Sequence, residues 1–410
     1  MTTVDNTIKS FEQKAEQVFE RINDVSYENQ KRVLEAFRKY RVSSQHFAPS
    51  TGYGYNDAGR ETLESIYADV FGGDDALVRS SLVSGTHALS QCLMAVLKPG
   101  DTLISAIGPP YDTLGKVING ANGLVNNGVN YRELPIGSDG GCDLESLVRV
   151  ARMKPRMIML QRSRGYNWDR RSITIEEIEK AISVVKKESE ETIVLVDNCY
   201  GEFVENMEPP MVGADLTAGS LIKNPGGGLA VCGGYVIGSQ ALVEKVADHL
   251  VAPGLGKEIG PSLYDLRTVY QGLFMSPHVV CESLKGAVIG AALFESTGLE
   301  VSPRWDDARG DIVQAIKIGD AAKLEKFVQT VQFCSPVDSY VRPEFSPMPG
   351  YDEQVIMAAG TFVQGSSIEI SCDAPMRKPY AAYLQGGLSY QHNRFVIEEL
   401  TKLAASWNLI

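Results

Sequence analysis

Long apolar runs are missing from this chain of 410 residues, and the nearest candidate, Gly286 to Phe294, is short and interrupted by glycine. A helix that crosses a bilayer needs about 20 apolar residues, so the sequence predicts no membrane span. The N-terminal stretch MTTVDNTIKSFEQKAEQ has neither the basic flank nor the apolar segment of a signal peptide. These two absences predict a cytoplasmic protein.

Paired cysteine motifs are missing as well. The seven cysteines are scattered and form no C-x-x-C pair. They are Cys92, Cys142, Cys199, Cys232, Cys281, Cys334 and Cys372. This spacing suits neither a zinc site nor a disulfide framework, so we expect no metal and reduced thiols.

An excess of basic residues is also absent. The chain has 39 Lys and Arg against 51 Asp and Glu, a formal charge of −12, which argues against binding nucleic acid over a broad surface. No G-x-G-x-x-G follows a predicted strand, which argues against a dinucleotide-binding protein. With 44% apolar residues, the chain is long enough for two domains with deep cores.

What the sequence does contain is an alternation of strand and helix patterns. Short apolar runs predict strands at 78–83, 102–107, 157–160, 192–197 and 233–238. Thr174 with Glu177 is typical of a capping box at the start of a helix. Alternation of this kind predicts an α/β fold with a mostly parallel sheet that is wrapped by helices.

The two ends of the chain have a different texture. Residues 7–40 have an apolar helical stripe, and a loop rich in glycine and tyrosine follows. Residues 363–372 alternate like an antiparallel strand, and 394–407 read as an amphipathic helix. We therefore predict an N-terminal helix and interface loop at 1–60, a large domain at 61–300 and a smaller α/β domain at 301–410.

The first candidate ligand group is the turn Ser84-Gly85-Thr86, between a predicted strand and a helix. A helix start with hydroxyls and a glycine presents free N–H groups and a positive dipole end, which suits a phosphate. The alternative is an ordinary helix cap. In open α/β sheets, ligands bind at the carboxyl ends of strands, where this turn would lie.

Two further groups end predicted strands or follow them. Asp197 closes a very apolar strand, and burial there is costly unless the carboxylate meets a cation, such as a protonated pyridine nitrogen, or caps a turn. Lys223 lies in SLIKNPGGG, and a partly buried lysine is a usable amine nucleophile. The Ser220 hydroxyl could bind the same phosphate as the turn; a surface loop is the alternative for this segment.

The order and spacing of the three groups resemble the fold-type-I enzymes that use pyridoxal 5'-phosphate (PLP), and within them the Cys/Met-metabolism group. The chain is most similar to the methionine gamma-lyase-like family that is often labelled aluminium-resistance proteins, from about Gly52 to Tyr390. The stretches that carry the resemblance are GYGYNDAGRETLE, VSGTHALSQCLMAVLKPGD, QRSRGY, VDNCYGEFVE, GADLTAGSLIKNPGGGLAVCGGY and GSSIEISCDAP.

The resemblance implies a role for each matching residue. Lys223 would bind PLP covalently and Asp197 would pair with its pyridine nitrogen. Tyr111 would stack on the ring and protonate the departing sulfur. The phosphate would be bound by Ser84, Gly85, Thr86 and Ser220. Tyr55 and Arg60 would reach the phosphate of a neighbouring subunit, which implies a homodimer or a dimer of dimers (a homotetramer).

The sequence departs from the family pattern at two places. Ile222 stands where a hydroxyl residue usually precedes the lysine, and Asp112-Thr113 follow Tyr111 instead of small residues. We predict Arg377 as the ligand of the substrate carboxylate because a guanidinium fork suits a carboxylate; Arg164 and Arg342 stay open. His87, next to the phosphate turn, is expected to pack.

The expected activity is a carbon–sulfur lyase of the methionine gamma-lyase or cystathionine beta-lyase kind, which releases a thiol, a 2-oxo acid and ammonia from a sulfur-containing amino acid. An aminotransferase that uses the same Lys223 and Asp197 is the rival enzyme. A PLP-binding protein with little turnover is the rival from another class.

Overall fold

Seven strands form the larger sheet of the computed structural model, which describes residues 3–407. They are β1 (Asp75–Arg79), β2 (Thr102–Ser105), β3 (Asn130–Glu133), β4 (Met157–Gln161), β5 (Ile193–Asp197), β6 (Leu216–Ser220) and β7 (Gly234–Gly238). Across the sheet the order is β1-β7-β6-β5-β4-β2-β3, and β7 alone among them runs antiparallel to its neighbours. The central strands are buried along their whole length, which is why they read as continuous apolar runs.

Helices cover this sheet and precede it. They are α1 (Thr3–Lys14), α2 (Glu16–Lys39), α3 (Ala58–Phe71), α4 (Gly85–Val96), α5 (Asp112–Asn119), α6 (Leu144–Ala151), α7 (Ile175–Glu188), α8 (Gln240–Leu250) and α9 (Arg267–Ser296). The capping box predicted for α7 is confirmed, since the Thr174 hydroxyl accepts from Glu177 N and the Glu177 carboxylate accepts from Thr174 N. Apolar cores lie on both faces of the sheet.

The smaller sheet has the strand order β10-β11-β12-β9-β8 and is antiparallel throughout. Its elements are β8 (Glu300–Ser302), β9 (Val313–Lys317), β10 (Val355–Ala358), β11 (Ser371–Pro375) and β12 (Ala381–Gln385), with α10 (Ala321–Phe333) and α11 (Tyr390–Ala405). Ile8 of α1 and Ala15, which lies between α1 and α2, are buried in the core of this smaller unit. The long helix α9 contributes to the cores of both units, so it connects them. The exact domain limits stay a prediction.

Two elements differ from the sequence expectation. The first strand is Asp75–Arg79 and ends before the predicted 78–83 is complete, because the chain turns after Arg79, where Leu82 N donates to the Arg79 carbonyl. The expectation of a strand at 363–372 was wrong: 363–370 is irregular, and β11 begins only at Ser371. There the Glu369 carboxylate accepts from Phe362 N and Val363 N, which folds the backbone back on itself.

In the described chain, residues 3–407, the helices are all too short or too polar to cross a membrane. Within the same residues, no group of three or more His, Cys, Asp and Glu side chains could hold a metal ion. The seven cysteines are free thiols.

Candidate active site

Three of the sequence motifs meet at one edge of the large sheet. β5 ends at Asp197, β6 ends at Ser220, and α4 begins at Gly85. A Cβ atom on Gly85 would lie 3.0 Å from Cys199 Sγ and 3.3 Å from Ser220 Cβ. Glycine is therefore the residue that lets the start of α4 approach the ends of β5 and β6 this closely.

A cavity of about 310 Å³ opens at this meeting point. Seven of the residues predicted for the site line it: Ser84, Gly85, Thr86, Tyr111, Asp197, Ser220 and Lys223. The other lining residues are Leu89, Thr113, Leu114, Gln161, Ser163, Gly165, Cys199, Tyr200, Ile222, Tyr351 and Gly365. The walls thus combine ends of the large sheet with segments of the chain beyond β9.

The N-terminus of α4 points its first turn at the cavity. The Ser84 hydroxyl caps the helix by accepting from His87 N at 3.0 Å, and Thr86 Oγ1 lies 2.7 Å from Thr113 Oγ1. The first N–H groups of a helix have no partner within the helix and form an anion site together with the dipole. Both nitrogens of the His87 imidazole are hydrogen-bonded within the same segment, one to Val83 N and the other to the Gln91 side chain.

Asp197 is a buried carboxylate with little to neutralise it. One oxygen accepts from Cys199 N at 3.1 Å. The cation that acts on it at longer range is Arg170, whose guanidinium donates to backbone carbonyls, those of Arg164 and Ile107 among them. Burial raises the pKa of Asp197 to about 6. A cationic ring nitrogen placed in the cavity would supply the partner that residues 3–407 do not give it.

The Lys223 amine is held by the loop that precedes β11. Its Nζ donates to Gly365 O and to Ser367 Oγ, both at 2.8 Å, and lies 5.2 Å from the centre of the Tyr200 ring. Burial lowers the pKa of Lys223, and the negative charge of Asp373 opposes this. A lowered pKa increases the neutral, nucleophilic fraction of the amine.

Tyr111 immediately precedes α5 and also lines the cavity. Its backbone N–H donates to Gln161 Oε1 at 2.7 Å, which ties it to the end of β4, and its hydroxyl shares a hydrogen bond with that of Tyr351. The ring meets Tyr166 edge to face, with centroids 5.2 Å apart. Burial raises the pKa of Tyr111 well above its usual value, so the phenol is held as a protonated acid.

Tyr55 and Arg60 do not line this cavity. Tyr55 is 56% exposed, whereas Arg60 is buried and donates to the carbonyls of Gly54 and Gly260 in its own chain. Arg60 lines a different cavity beside Ser262. Their predicted contact with a neighbouring subunit's phosphate therefore stays a prediction.

The three arginines considered for the substrate carboxylate also lie outside the cavity lining. Arg377 donates to Asp112, to Glu353 and to the Tyr166 carbonyl. Arg164 is buried and donates to backbone carbonyls, whereas Arg342 is exposed in a groove beside α10. The role of Arg377 as the ligand of the substrate carboxylate therefore stays a prediction.

Sequence reasoning missed Tyr200, Tyr351, Ser367 and Gln161, which all line the cavity or contact Lys223. Three of them lie in the stretches VDNCYGEFVE, GSSIEISCDAP and QRSRGY, so the signal was present but had no role attached to it. Tyr351 lies in no such stretch. Its approach depends on the fold of the smaller unit.

Comparison with known proteins identifies close relatives. The sequence profile of the methionine gamma-lyase family matches residues 4–404. The uncharacterised protein YnbB of Bacillus subtilis is 50% identical over 381 residues, 92% of this chain and 90% of its own length. A Listeria monocytogenes structure, provisionally named a cystathionine beta-lyase involved in aluminium resistance, shares 45% identity over 97% of this chain and 99% of its own, with a TM-score of 0.93. A Clostridium novyi structure, named a carbon–sulfur lyase involved in aluminium resistance, shares 44% identity over 98% and 95%, with a TM-score of 0.91.

Proposed function

This chain belongs to the methionine gamma-lyase family, a family of PLP-dependent carbon–sulfur lyases, and we propose that it binds PLP and eliminates a thiol from a sulfur-containing amino acid. The carbon–sulfur bond breaks with its electrons leaving on sulfur, and water then releases a 2-oxo acid and ammonia. The observation that carries the proposal is that Lys223, Asp197 and the N-terminus of α4 face one cavity. The expected fold class and the expectation of an enzyme are confirmed.

The residues of the cavity fit PLP by three independent features. The first turn of α4 lines the cavity together with Ser84, Thr86 and Ser220, whose hydroxyls and free N–H groups could bind a phosphate. The buried Asp197 offers a negative charge to a pyridinium nitrogen. Lys223 lines the same cavity and offers an amine that could condense with an aldehyde.

PLP, when bound, supplies an electron sink for the bond broken at the α-carbon. The chain's own residues then have separate tasks. Lys223, once freed, accepts the α-proton, and the Gly365 carbonyl and the Ser367 hydroxyl orient its amine. Tyr111 donates its proton to the departing sulfur, since its buried phenol keeps that proton at neutral pH.

The decisive experiment uses purified holoprotein and a panel of sulfur-containing amino acids with no added 2-oxo acid. We expect thiol, 2-oxo acid and ammonia in equal amounts, with spectral change of the cofactor. Lys223→Ala is the matched inactive control. Turnover only after a 2-oxo acid acceptor is added would identify an aminotransferase instead. A coloured protein that changes no amino acid would identify a binding protein.

We also propose that the active protein is at least a homodimer with shared sites. Tyr53, Tyr55 and Leu263 are 69%, 56% and 70% exposed, and they lie on two loops that bond to each other through Gly260 N and Tyr53 O. An exposed apolar patch of this kind is typical of an interface. Closed twofold symmetry would bring the loop of each subunit to the other subunit's phosphate turn.

Subunit mixing tests this assembly. Tyr55→Ala suits the test because this side chain is exposed, whereas removal of the buried Arg60 would also disturb its own fold. We expect Tyr55→Ala and Lys223→Ala each to be inactive. Equal mixing should then restore about a quarter of the wild-type activity, because half of the random dimers have one intact site. Full activity of Tyr55→Ala, or no recovery despite proven subunit exchange, would place each site within a single chain.

A further inference from the structure

A loop of the smaller unit reaches across to the wall of the active-site cavity. The 347–354 loop is closed at its base by an antiparallel bridge, in which Ser346 and Val355 exchange both backbone hydrogen bonds at 3.1 and 3.0 Å. Val355 is the first residue of β10, so the base is part of the smaller sheet. The tip of the loop is therefore presented from a fixed base.

The tip packs against α5 at three consecutive residues. A Cβ atom on Gly350, where φ is +91°, would lie 2.9 Å from Thr113 Cγ2, so this position needs glycine. Asp352 Oδ1 lies 2.5 Å from Lys116 Nζ. Tyr351, between them, shares a hydrogen bond with the Tyr111 hydroxyl.

A second ion pair fixes the same contact from the side. Arg377 lies 3.2 Å from Glu353 at the end of the loop and 3.0 Å from Asp112 at the start of α5. Its guanidinium thus joins the loop to the helix. This is a task for Arg377 that does not depend on a substrate carboxylate.

Inside the cavity, Tyr351 is held as a rigid ring. It stacks on Tyr166 with centroids 5.9 Å apart and an interplanar angle of 22°, and it meets Tyr111 edge to face at 6.0 Å. Tyr166 is anchored in turn because its hydroxyl donates to Asp373 at 2.8 Å. The Tyr351 hydroxyl is therefore held beside the hydroxyls of Tyr111 and Tyr166.

We propose that Tyr351 is a positioning residue for the proton transfer in the elimination, which rests on the proposed lyase activity. It orients the Tyr111 hydroxyl before the step. As the carbon–sulfur bond breaks, the Tyr111 proton goes to sulfur and the electron pair stays on the phenol oxygen. Tyr351 keeps its own proton and donates a hydrogen bond to that oxygen. The α-proton that Lys223 accepted is then passed through water to the Tyr111 oxygen, so both groups regain their starting protonation before the next cycle.

The physical need for such a donor follows from burial. A phenolate that is shielded from solvent is costly, and burial raises the pKa of Tyr111 and of Tyr351 alike. A hydrogen bond to the charged form offsets part of this cost and is stronger than one between neutral groups.

Tyr351→Phe isolates the hydroxyl because the ring and its stacking remain. With an alkyl thiol as leaving group, we expect kcat to fall about tenfold while KM stays within about twofold. This change corresponds to the loss of one charge-assisted hydrogen bond that is made in the transition state. With S-(nitrophenyl)cysteine, whose thiolate leaves without a proton, kcat should stay within about twofold of wild type. Tyr340→Phe is the matched control, since Tyr340 is 84% exposed in the same part of the chain, and it should change neither rate.

The outcomes separate this inference from the proposed function. If wild-type holoprotein eliminates thiol from neither substrate, the lyase activity itself is refuted. If Tyr351→Phe loses activity equally on both substrates, or on neither, Tyr351 only packs and the inference is overturned. A retained circular dichroism spectrum is needed for each variant.

A second measurement needs no cofactor. In the cofactor-free protein, thermal unfolding of Tyr111→Phe, Tyr351→Phe and the double variant forms a double-mutant cycle. Because the two hydroxyls bond to each other, we expect the double variant to lower Tm by clearly less than the sum of the single changes. Additive changes would mean that the bond between Tyr111 and Tyr351 is not made, and the inference would fail.

Discussion

Two buried carboxylates on the same stretch of chain, Asp197 and Glu208, have opposite surroundings. Both Glu208 oxygens accept hydrogen bonds, from Phe203 N at 2.8 Å and from Asn198 Nδ2 at 2.9 Å, and Arg162 NH1 lies 3.6 Å away. Asp197 faces the cavity and accepts from one backbone N–H. Within the described residues, the Glu208 carboxylate is therefore paired with a cation, whereas the Asp197 carboxylate faces the cavity without such a pair.

The difference arises in the turn after β5. Arg162 is fully buried and bonds to Asn198, Glu205 and Glu208, and we call these four residues the ion cluster. Space for its guanidinium comes from Gly201, where a Cβ atom would lie 2.4 Å from Arg162 Cδ. The ion cluster thus holds the turn that places Asp197 and Tyr200 on the cavity side. Pairing within the ion cluster stabilises one face of the turn, while the other face lines the cavity.

The largest effect on activity should come from removing the Lys223 amine, which lies at the cavity. Lys223→Ala should lower the lyase rate by about 10³-fold or more, because both the base and the covalent anchor are lost. The purified variant should also lose the yellow absorbance of bound cofactor. Lys257→Ala, which removes a lysine that pairs with Asp75, should keep both. Borohydride reduction that labels Lys257 or Lys285 instead of Lys223 would contradict the assignment.

Disrupting the ion cluster should lower the stability of the protein more than it lowers the activity. Arg162→Met leaves Glu208 buried without its cation and should lower the free energy of unfolding by about 3 to 5 kcal/mol. Arg152→Met is the control, because the Arg152 pair with Glu188 is exposed and contributes at most about 1 kcal/mol. Denaturant unfolding of the cofactor-free proteins measures both. Equal effects of the two substitutions would show that the ion cluster is not what holds the turn.

Asp197→Asn should separate activity from stability at this carboxylate, because the substitution should lower the activity but raise the stability relative to wild type as pH rises. We expect about a hundredfold loss of activity, since the ring nitrogen loses its anionic partner. Burial raises the pKa of Asp197 from 3.8 to about 6 in the folded protein, so between these values the folded state binds more protons than the unfolded chain. Wild-type stability therefore falls by about 3 kcal/mol, relative to the variant, as pH rises through this window.

Unfolding of the two cofactor-free proteins from about pH 4 to 8 checks this sign. Asn does not titrate, so the wild type should lose stability relative to the variant until about pH 6, and the difference should then stay constant. Saturating cofactor should stabilise the wild type more than the variant. A difference in stability that is independent of pH would mean that Asp197 is ionised in the folded protein as it is in the unfolded chain.

The smallest effects should come from two helix caps, one at each face. Ser84 caps α4 at the cavity, and Thr174 caps α7, whose first residue Ile175 donates to Glu205 of the ion cluster. Replacement of either by alanine should lower the free energy of unfolding by about 1 kcal/mol. Only Ser84→Ala should also weaken the binding of cofactor, as measured by absorbance titration. Equal cofactor affinity in both variants would leave Ser84 as a cap alone.

Much of the fold and part of the site could be predicted from local patterns. The buried strand that ends at Asp197, the turn at Ser84 and the capping box of α7 are written within a few neighbouring residues, and all three are present. β6 was missed because its sequence, LTAGS, is small and polar although every residue of it is buried. Its place between two apolar strands, not its own composition, makes it a strand.

The sequence by itself determined which candidate side chains of the large domain lie at the end of a strand or the start of a helix. Alternation of polar and apolar residues, apolar runs and helix caps all act over short distances along the chain, so these positions can be read from neighbouring residues. Only the tertiary structure decided what faces them. Lys223 meets Ser367 and Tyr111 meets Tyr351 across more than a hundred residues of chain. Likewise, Arg60 and Arg377 are engaged by carbonyls and carboxylates that no local pattern predicts. Such contacts depend on how the two sheets pack through α9, since side chains distant in sequence become neighbours only when both cores have formed.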